Sequence, residues 1–297
     1  MEKITNQPRR ALYTVLIGEY EKLNELEVSD SSVHAICFTD DPQLVSSTWD
    51  VVLIESTFPG DQIRSQRLIK IQGHPVLDQY DEWLYIDNTV RLLKPPSYIL
   101  DEFLKDCDLA IPTHSYREDV LEEFAVVKDL GLDSRERLEE QRLHYEELSP
   151  SPLRERPLWT GIIARRPTSS VRKWSDSWAQ HVLRYSRRDQ LSVLTVIEIN
   201  KPNFNRVEID TFSSDFHQWP IHNERKREKR FYGGTDLVQE SEKLQKEILQ
   251  LNNELRVVRD AYANSTSWKI TRPLRAISLA LKAIRGFNKL ETMNSDG

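Results

Sequence analysis

The chain of 297 residues carries 41 lysines and arginines against 47 aspartates and glutamates, a net charge of −6 that argues against nucleic acid as a partner. Its length accommodates one large domain, or a domain with an appendage, and no stretch approaches the roughly 18 uninterrupted apolar residues that span a bilayer. The N-terminal MEKITNQPRRALYTV lacks the apolar core and cleavage site of a secretory signal, and Cys37 and Cys107 match no metal-ligand spacing, so a soluble cytoplasmic protein with buried thiols is expected.

After an N-terminal tail of residues 1–10, short apolar runs alternate with polar or helix-compatible segments. ALYTVLIG (11–18), HAICFTD (34–40) and DVVLIES (50–56) read as buried strands, Gln62 to Gly73 as a helix, and EWLYIDN (82–88) and CDLAIPTH (107–114) as further strands. Strands separated by helices or loops predict an α/β domain with a mixed, mainly parallel sheet flanked by helices. Ligands gather at the carboxyl ends of such strands, where Gly18, Asp40 and Asp87 fall. The stretch WLYIDNTV (83–90) leaves two readings open. Asp87 and Asn88 either open a turn by bonding their own backbone, or Asp87 delivers a carboxylate to a ligand.

From about residue 115 to 232 the pattern changes. A charged helical stretch containing Glu122, Glu123, Arg135, Glu139 and Glu140 reads as a solvated helix face. LWTGIIARR (158–166) is strand-like, and Gly161 inside it marks a bulge or a close approach. A helix follows, then a polar break at Arg188-Asp189-Gln190, then an apolar run from Leu191 to Ile197.

Residues 235–262 carry a heptad series. Leu244, Ile248, Leu251, Leu255, Val258 and Tyr262 alternate in steps of four and three, with Leu237 before them and Ser241 as a polar interruption. A coiled coil is expected, and with it a homo-oligomer; an amphipathic helix packed on its own domain is the alternative. Residues 263–290 form a basic amphipathic segment bearing Lys269, Arg272, Arg275, Lys282, Arg285 and Lys289, with Pro273 as a helix start and Gly286 as its stop. It suits either the surface of an anionic membrane or docking of its apolar face on a partner enzyme or on the catalytic domain. Residues 291–297 read as a flexible tail.

Several charged residues combine into a plausible chemistry. Arg64, Arg67, Lys70 and His74 follow one another at helical spacings of three, three and four, a cationic face suited to a diphosphate. Asp40 suits a ribose or base, and Asp87 a divalent cation bridging the diphosphate.

The order of YTVLIGEYEKL, CFTDDP, SQRLIKIQGH, WLYIDNTV, PTHSYR, LWTGIIARR and SRRDQLSV resembles the TOD/MUCI-type glycosyltransferase-like domain, from about Ala11 to Tyr232. That resemblance implies a GT-A-like (Rossmann-like) fold, a nucleotide-sugar donor bound by the first half and acceptor contacts from the second. Donor contacts would come from Gly18, Tyr20, Asp40, Arg67, Lys70, His74, Asp87, Asn88, His114 and Arg188, with Arg117 near them. Asp87 looks like the first carboxylate of a DxD element whose third position is here Thr89, and His222, or else His217, would complete the shell of a Mn²⁺ or Mg²⁺ ion. Asp189 would act as a general base or orient the donor sugar, and Gln190 would bond sugar hydroxyls.

The segment NSTSWKITRPLRAI (264–277) resembles pieces appended after a coiled coil to bacterial glycosyltransferases of surface polysaccharide clusters. The expectation is therefore a bacterial hexosyltransferase acting on a glycan or lipid-linked acceptor in the cytoplasm, peripheral on the inner face of the membrane. The competing expectation is a non-catalytic adaptor assembling a polysaccharide biosynthesis complex through its coiled coil.

Overall fold

The computed structural model describes residues 7–18 and 21–221, together with residues 248, 250, 251, 254–258 and 261 of a C-terminal helix. The chain divides into two compact units, residues 1–239 and 240–297.

The first unit is built on a seven-stranded sheet with strand order β3-β2-β1-β4-β7-β6-β8. Its strands are β1 (Arg10–Leu16), β2 (Val33–Thr39), β3 (Asp50–Leu53), β4 (Glu82–Ile86), β6 (Leu109–Pro112), β7 (Ile162–Arg165) and β8 (Phe204–Val207). Strands β3, β2, β1 and β4 are parallel, with Tyr13 opposite Tyr85, and β7 is inserted antiparallel between β4 and β6. This is the mixed, mainly parallel sheet that the apolar runs predict. A small second sheet pairs β5 (Arg91–Leu92) with β9 (His217–Gln218).

Both faces of the sheet are covered, which is why its strands read as continuous rather than alternating apolar runs. Successive residues of β1 enter opposite cores. Tyr13 packs with Phe38, Tyr85, Trp174 and Trp178 beneath α1 (Gln62–Gln72), α5 (Ser169–Arg184) and α6 (Gln190–Asn200). Leu12 packs with Cys37, Leu84, Ile99 and Phe103 against α2 (Pro96–Phe103). Cys37 and Cys107 are buried free thiols, and burial pushes the Cys37 thiol up to about 12, which makes it inert.

Local chemistry sets the helix starts. Asp61 accepts the Arg64 N–H to cap α1, Asp119 accepts that of Glu122 to cap α3 (Val120–Asp129), and Ser134 that of Arg137 to cap α4 (Arg135–Leu148). The charged stretch expected to be a solvated face is thus two helices, and part of it turns inward. Glu123 is buried and paired with Arg117 Nε at 2.8 Å, and Gln141 and Tyr145 are buried as well. The apolar run from Leu191 lies in α6. Strand β7 starts only after Gly161, where a Cβ would collide with the Trp159 indole, so the glycine marks a close approach.

Among the described residues no helix is long and apolar enough to cross a membrane. In the second unit the helix presents Ile248, Leu251, Leu255 and Val258, all 57–66% exposed in the single chain. Leu237, Leu244, Tyr262 and the basic segment 263–290 lie outside the described residues.

Candidate active site

The carboxyl end of β4 delivers Asp87 into a turn. The Val90 N–H donates to the Asp87 carbonyl at 2.9 Å, so the turn reading of this stretch holds for the backbone. The Asp87 side chain, 30% exposed, does something else: its Oδ1 accepts the Tyr85 phenol at 2.5 Å and lies 3.5 Å from Lys70 Nζ. Burial, then the Asp87 charge, raise Tyr85 well above its ordinary value, so the phenol keeps its proton and donates it.

Lys70 reaches this point from α1 and is only 1% exposed. Its ammonium lies 2.6 Å from Asp189 Oδ2 and donates to Thr160 Oγ1 at 3.1 Å, while the Thr160 hydroxyl donates to the same Asp189 oxygen at 3.1 Å. Arg67, one turn earlier, brings its Nε to 3.3 Å from Asp189 Oδ1. Asp189 stands at the N-cap position of α6, yet its side chain makes no capping bond. That absence is informative, because an aspartate there normally caps; here the carboxylate is committed to the two cations instead. Burial alone would raise Asp189, but Arg67, then Lys70, outweigh it and hold the group well below the usual carboxylate range. Burial and the neighbouring Arg67 lower Arg188. Its Nε has no hydrogen-bond partner among the described residues. Lys70, Arg67 and Arg188 thus converge beside the exposed edge of Asp87, with Glu21 and Glu123 within electrostatic reach of Arg67 and Arg188; three clustered cations suit a bound polyanion.

Around this cluster the other expected residues separate. Gly18, at φ +87°, donates its N–H to Asp40 Oδ1 at 2.8 Å, tying together the ends of β1 and β2. Asn88 is buried, accepting the Asn24 N–H and donating to the Lys22 carbonyl, so it anchors the loop after β1. Arg64 leaves the expected cationic face, its guanidinium bonding the carbonyls of Val182 and Tyr185 at the end of α5. His74 lies beyond α1; its Nδ1 accepts the Val76 N–H and its ring packs 4.9 Å from Phe38, so it does not join the cluster. His114 is buried, its Nδ1 unpartnered among the described residues; burial, then Arg117, lower it to about 4, so it is neutral. Gln190 donates to the Leu158 carbonyl at 3.4 Å. Thr89 Oγ1 accepts the Trp219 indole N–H at 3.1 Å, so this hydroxyl is engaged with Trp219. His217 has both ring nitrogens engaged, with Ser214 Oγ at 2.8 Å and the Thr211 carbonyl at 3.0 Å. Tyr20 and His222 lie outside the described residues.

Sequence reasoning missed Tyr85 and Thr160. Tyr85 is hidden inside an apolar strand; Thr160 had one signal, its place beside Gly161 at the mouth of β7.

The TOD1/MUCI70 glycosyltransferase-like domain model matches residues 20–218. A curated relative, the probable hexosyltransferase MUCI70 of Arabidopsis thaliana, is 28% identical over 157 residues, 50% of this chain, and the chain spans 27% of that protein. Among solved structures, core-mannan synthase A from Aspergillus fumigatus in its Mn/GDP form is 11% identical with a TM-score of 0.42, covering 80% of this chain and 84% of that one. Mouse xyloside xylosyltransferase 1, apo form, is 10% identical with a TM-score of 0.36, covering 67% and 84%. With the family model spanning well over half of its length, the chain belongs to the TOD1/MUCI70 glycosyltransferase-like domain family.

Proposed function

We propose that the domain is a hexosyltransferase that binds a nucleotide-diphosphate sugar at the carboxyl ends of β1, β2 and β4 and transfers the sugar to a glycan or lipid-linked acceptor. The observation that carries this reading is the buried Lys70 shared between Asp87 and Asp189, with Arg67 and Arg188 beside it. In the transfer the bond from the anomeric carbon to the diphosphate breaks and the bonding electrons leave with the nucleoside diphosphate. The acceptor oxygen bonds the same carbon and its hydroxyl gives up a proton. Charge builds on the leaving diphosphate, and fixed cations in a water-poor site stabilise that charge most. Lys70, Arg67 and Arg188 would supply those cations.

Asp189 is better suited to holding these cations than to taking a proton. Both its oxygens are occupied, and a carboxylate held so far below its usual range is a weak base at neutral pH.

The donor set suits a divalent cation only in part. Among the described residues no cluster of three ligating side chains exists. Asp87 Oδ1 is taken by Tyr85 and Lys70, which leaves Oδ2 as the oxygen outside these contacts. One carboxylate oxygen fits Mn²⁺ or Mg²⁺ that arrives with the diphosphate, because these ions accept phosphate and water for the rest of their shell. His222 is the proposed additional ligand; its predecessor Ile221 donates its N–H to the Thr89 carbonyl at 2.8 Å, two residues from Asp87. When bound, the ion would add Lewis-acid neutralisation of the diphosphate.

The setting proposed is bacterial surface polysaccharide synthesis at the inner face of the membrane, with the heptad helix pairing with a second copy and the basic segment touching anionic lipid. Co-sedimentation of the full chain with anionic vesicles supports this last contact; equal binding by residues 1–234 removes it. The adaptor reading is favoured by Thr89, which supplies no second carboxylate. Incubation with a panel of UDP- and GDP-sugars, with and without Mn²⁺, separates the two. Donor turnover lost in Asp87→Asn supports the transferase, and absence of turnover with every donor supports the adaptor.

A further inference from the structure

The charged stretch between β6 and β7 contains a side chain that the transfer chemistry does not use. Asp133, just before the N-cap of α4, is 1% exposed. Its Oδ1 accepts the Ser134 N–H at 2.8 Å. Its Oδ2 accepts both the Ser186 hydroxyl and the Arg187 N–H, each at 2.8 Å. The Ser186 hydroxyl in turn accepts the Arg188 N–H at 3.1 Å, and the Ser186 N–H donates to Gln141 Oε1 of α4 at 3.2 Å. Three consecutive main-chain N–H groups, of Ser186, Arg187 and Arg188, are therefore satisfied by α4, by the residue preceding its cap, or through a hydroxyl that Asp133 orients. The next residue is Asp189.

We infer that Asp133 is a positioning residue for the donor site: through Ser186 it fixes the turn that presents Arg188 and Asp189 to Lys70 and Arg67. This rests on the reading of that cluster as the donor site. The physical case is that N–H groups in a buried turn must be paired, and that a carboxylate accepts several such bonds more strongly than a neutral acceptor. A residue 54 positions away in sequence thereby determines where the α6 N-terminus begins. Groups that position reacting residues act through sub-ångström geometry, and a displacement of about 1 Å costs on the order of 100-fold in rate.

The test uses the full chain with Asp133→Asn and Ser186→Ala. Amide hydrogen exchange of Arg187 and Arg188 is measured first, without any donor. Next come melting temperature, donor affinity, and kcat for the best UDP- or GDP-sugar. The expected result is exchange at these two amides at least 10-fold faster than in the wild type, and kcat down by about 10- to 100-fold, at temperatures where the variants remain folded. Donor affinity should fall less than kcat does, because Arg188 shifts with the turn while Arg67 and Lys70 on α1 stay in place. Unchanged exchange in both folded variants overturns the anchoring. Faster exchange with unchanged kcat overturns the positioning role and leaves Asp133 as a fold element only. If the wild type turns over no donor, the transferase reading fails separately. The positioning claim is then read from the Asp189 carboxyl titration by NMR, which must rise in Asp133→Asn and whose constancy refutes it.

Discussion

Replacing Lys70 with methionine keeps the volume of the side chain but removes the ammonium between Asp87 and Asp189. Lys70 is 1% exposed and Asp189 3%, so water does not replace the lost partner. Asp189 would keep Arg67 Nε at 3.3 Å and the Thr160 hydroxyl at 3.1 Å, a reduced set for a buried charge. Breaking one side of a buried pair costs about 3–5 kcal/mol, and the surviving arginine puts the expected loss near the lower end. The loss should also depend on pH. In the wild type Asp189 sits below its ordinary value, so its contribution is complete above the unfolded value of about 4 and disappears only as pH falls through the lower folded one. In the variant Asp189 titrates higher, protonation relieves the buried charge, and the gap to wild type narrows as pH falls from 7 towards 4. Urea denaturation at a series of pH values reads both effects. The double variant Lys70→Met/Asp189→Leu should recover only part of the stability, since it removes the unpaired Asp189 charge but leaves Arg67 without its carboxylate partner. A loss under about 1 kcal/mol, or a gap independent of pH, would refute the account of the cluster.

Other outcomes follow from the same geometry. Gly18→Ala should lower stability by about 1–2 kcal/mol in thermal denaturation, because φ is +87° and the new Cβ would meet the Gln62 side chain; truncating Gln62 to alanine in addition should restore only the steric part. Thr89→Asp should not create a tighter Mn²⁺ site by calorimetry, because the residue 89 side chain is engaged with the Trp219 indole; a clear gain in Mn²⁺ affinity would place that side chain elsewhere. Mixing two differently tagged full-length chains should give co-purification that Leu251→Lys/Leu255→Lys abolishes, since lysines at two seam positions oppose a heptad pair; persistence of the complex would sink the pairing.

The parallel half of the sheet was legible because burial on both faces makes β1, β2 and β4 continuous runs of Val, Ile, Leu and aromatic residues. Strands β5, β8 and β9 were not, being short, partly exposed and specified by their partners rather than by pattern. Helical spacing placed Arg64, Arg67 and Lys70 on one helix, but spacing cannot tell where a long side chain ends: Arg64 turns to the carbonyls closing α5 while its neighbours meet Asp189. Asp189 was visible as a polar break, and its environment was not. Its oxygens are saturated by groups from α1 and from the residue before Gly161, contacts that no local sequence feature announces. Asp133 was hidden for the opposite reason, as one acidic residue among many in a stretch whose composition suggests solvent.

The central claim is that the Lys70, Arg67 and Arg188 cluster beside Asp87 is a diphosphate site. Calorimetric titration of UDP and GDP into the full chain and into Arg67→Ala tests it most directly. The account predicts that at least one nucleoside diphosphate binds the wild type, that its affinity falls about 10-fold or more in Arg67→Ala, and that the corresponding nucleoside binds both proteins alike. Equal affinity of the diphosphate for both proteins, or no binding of either nucleotide to the wild type, would contradict it.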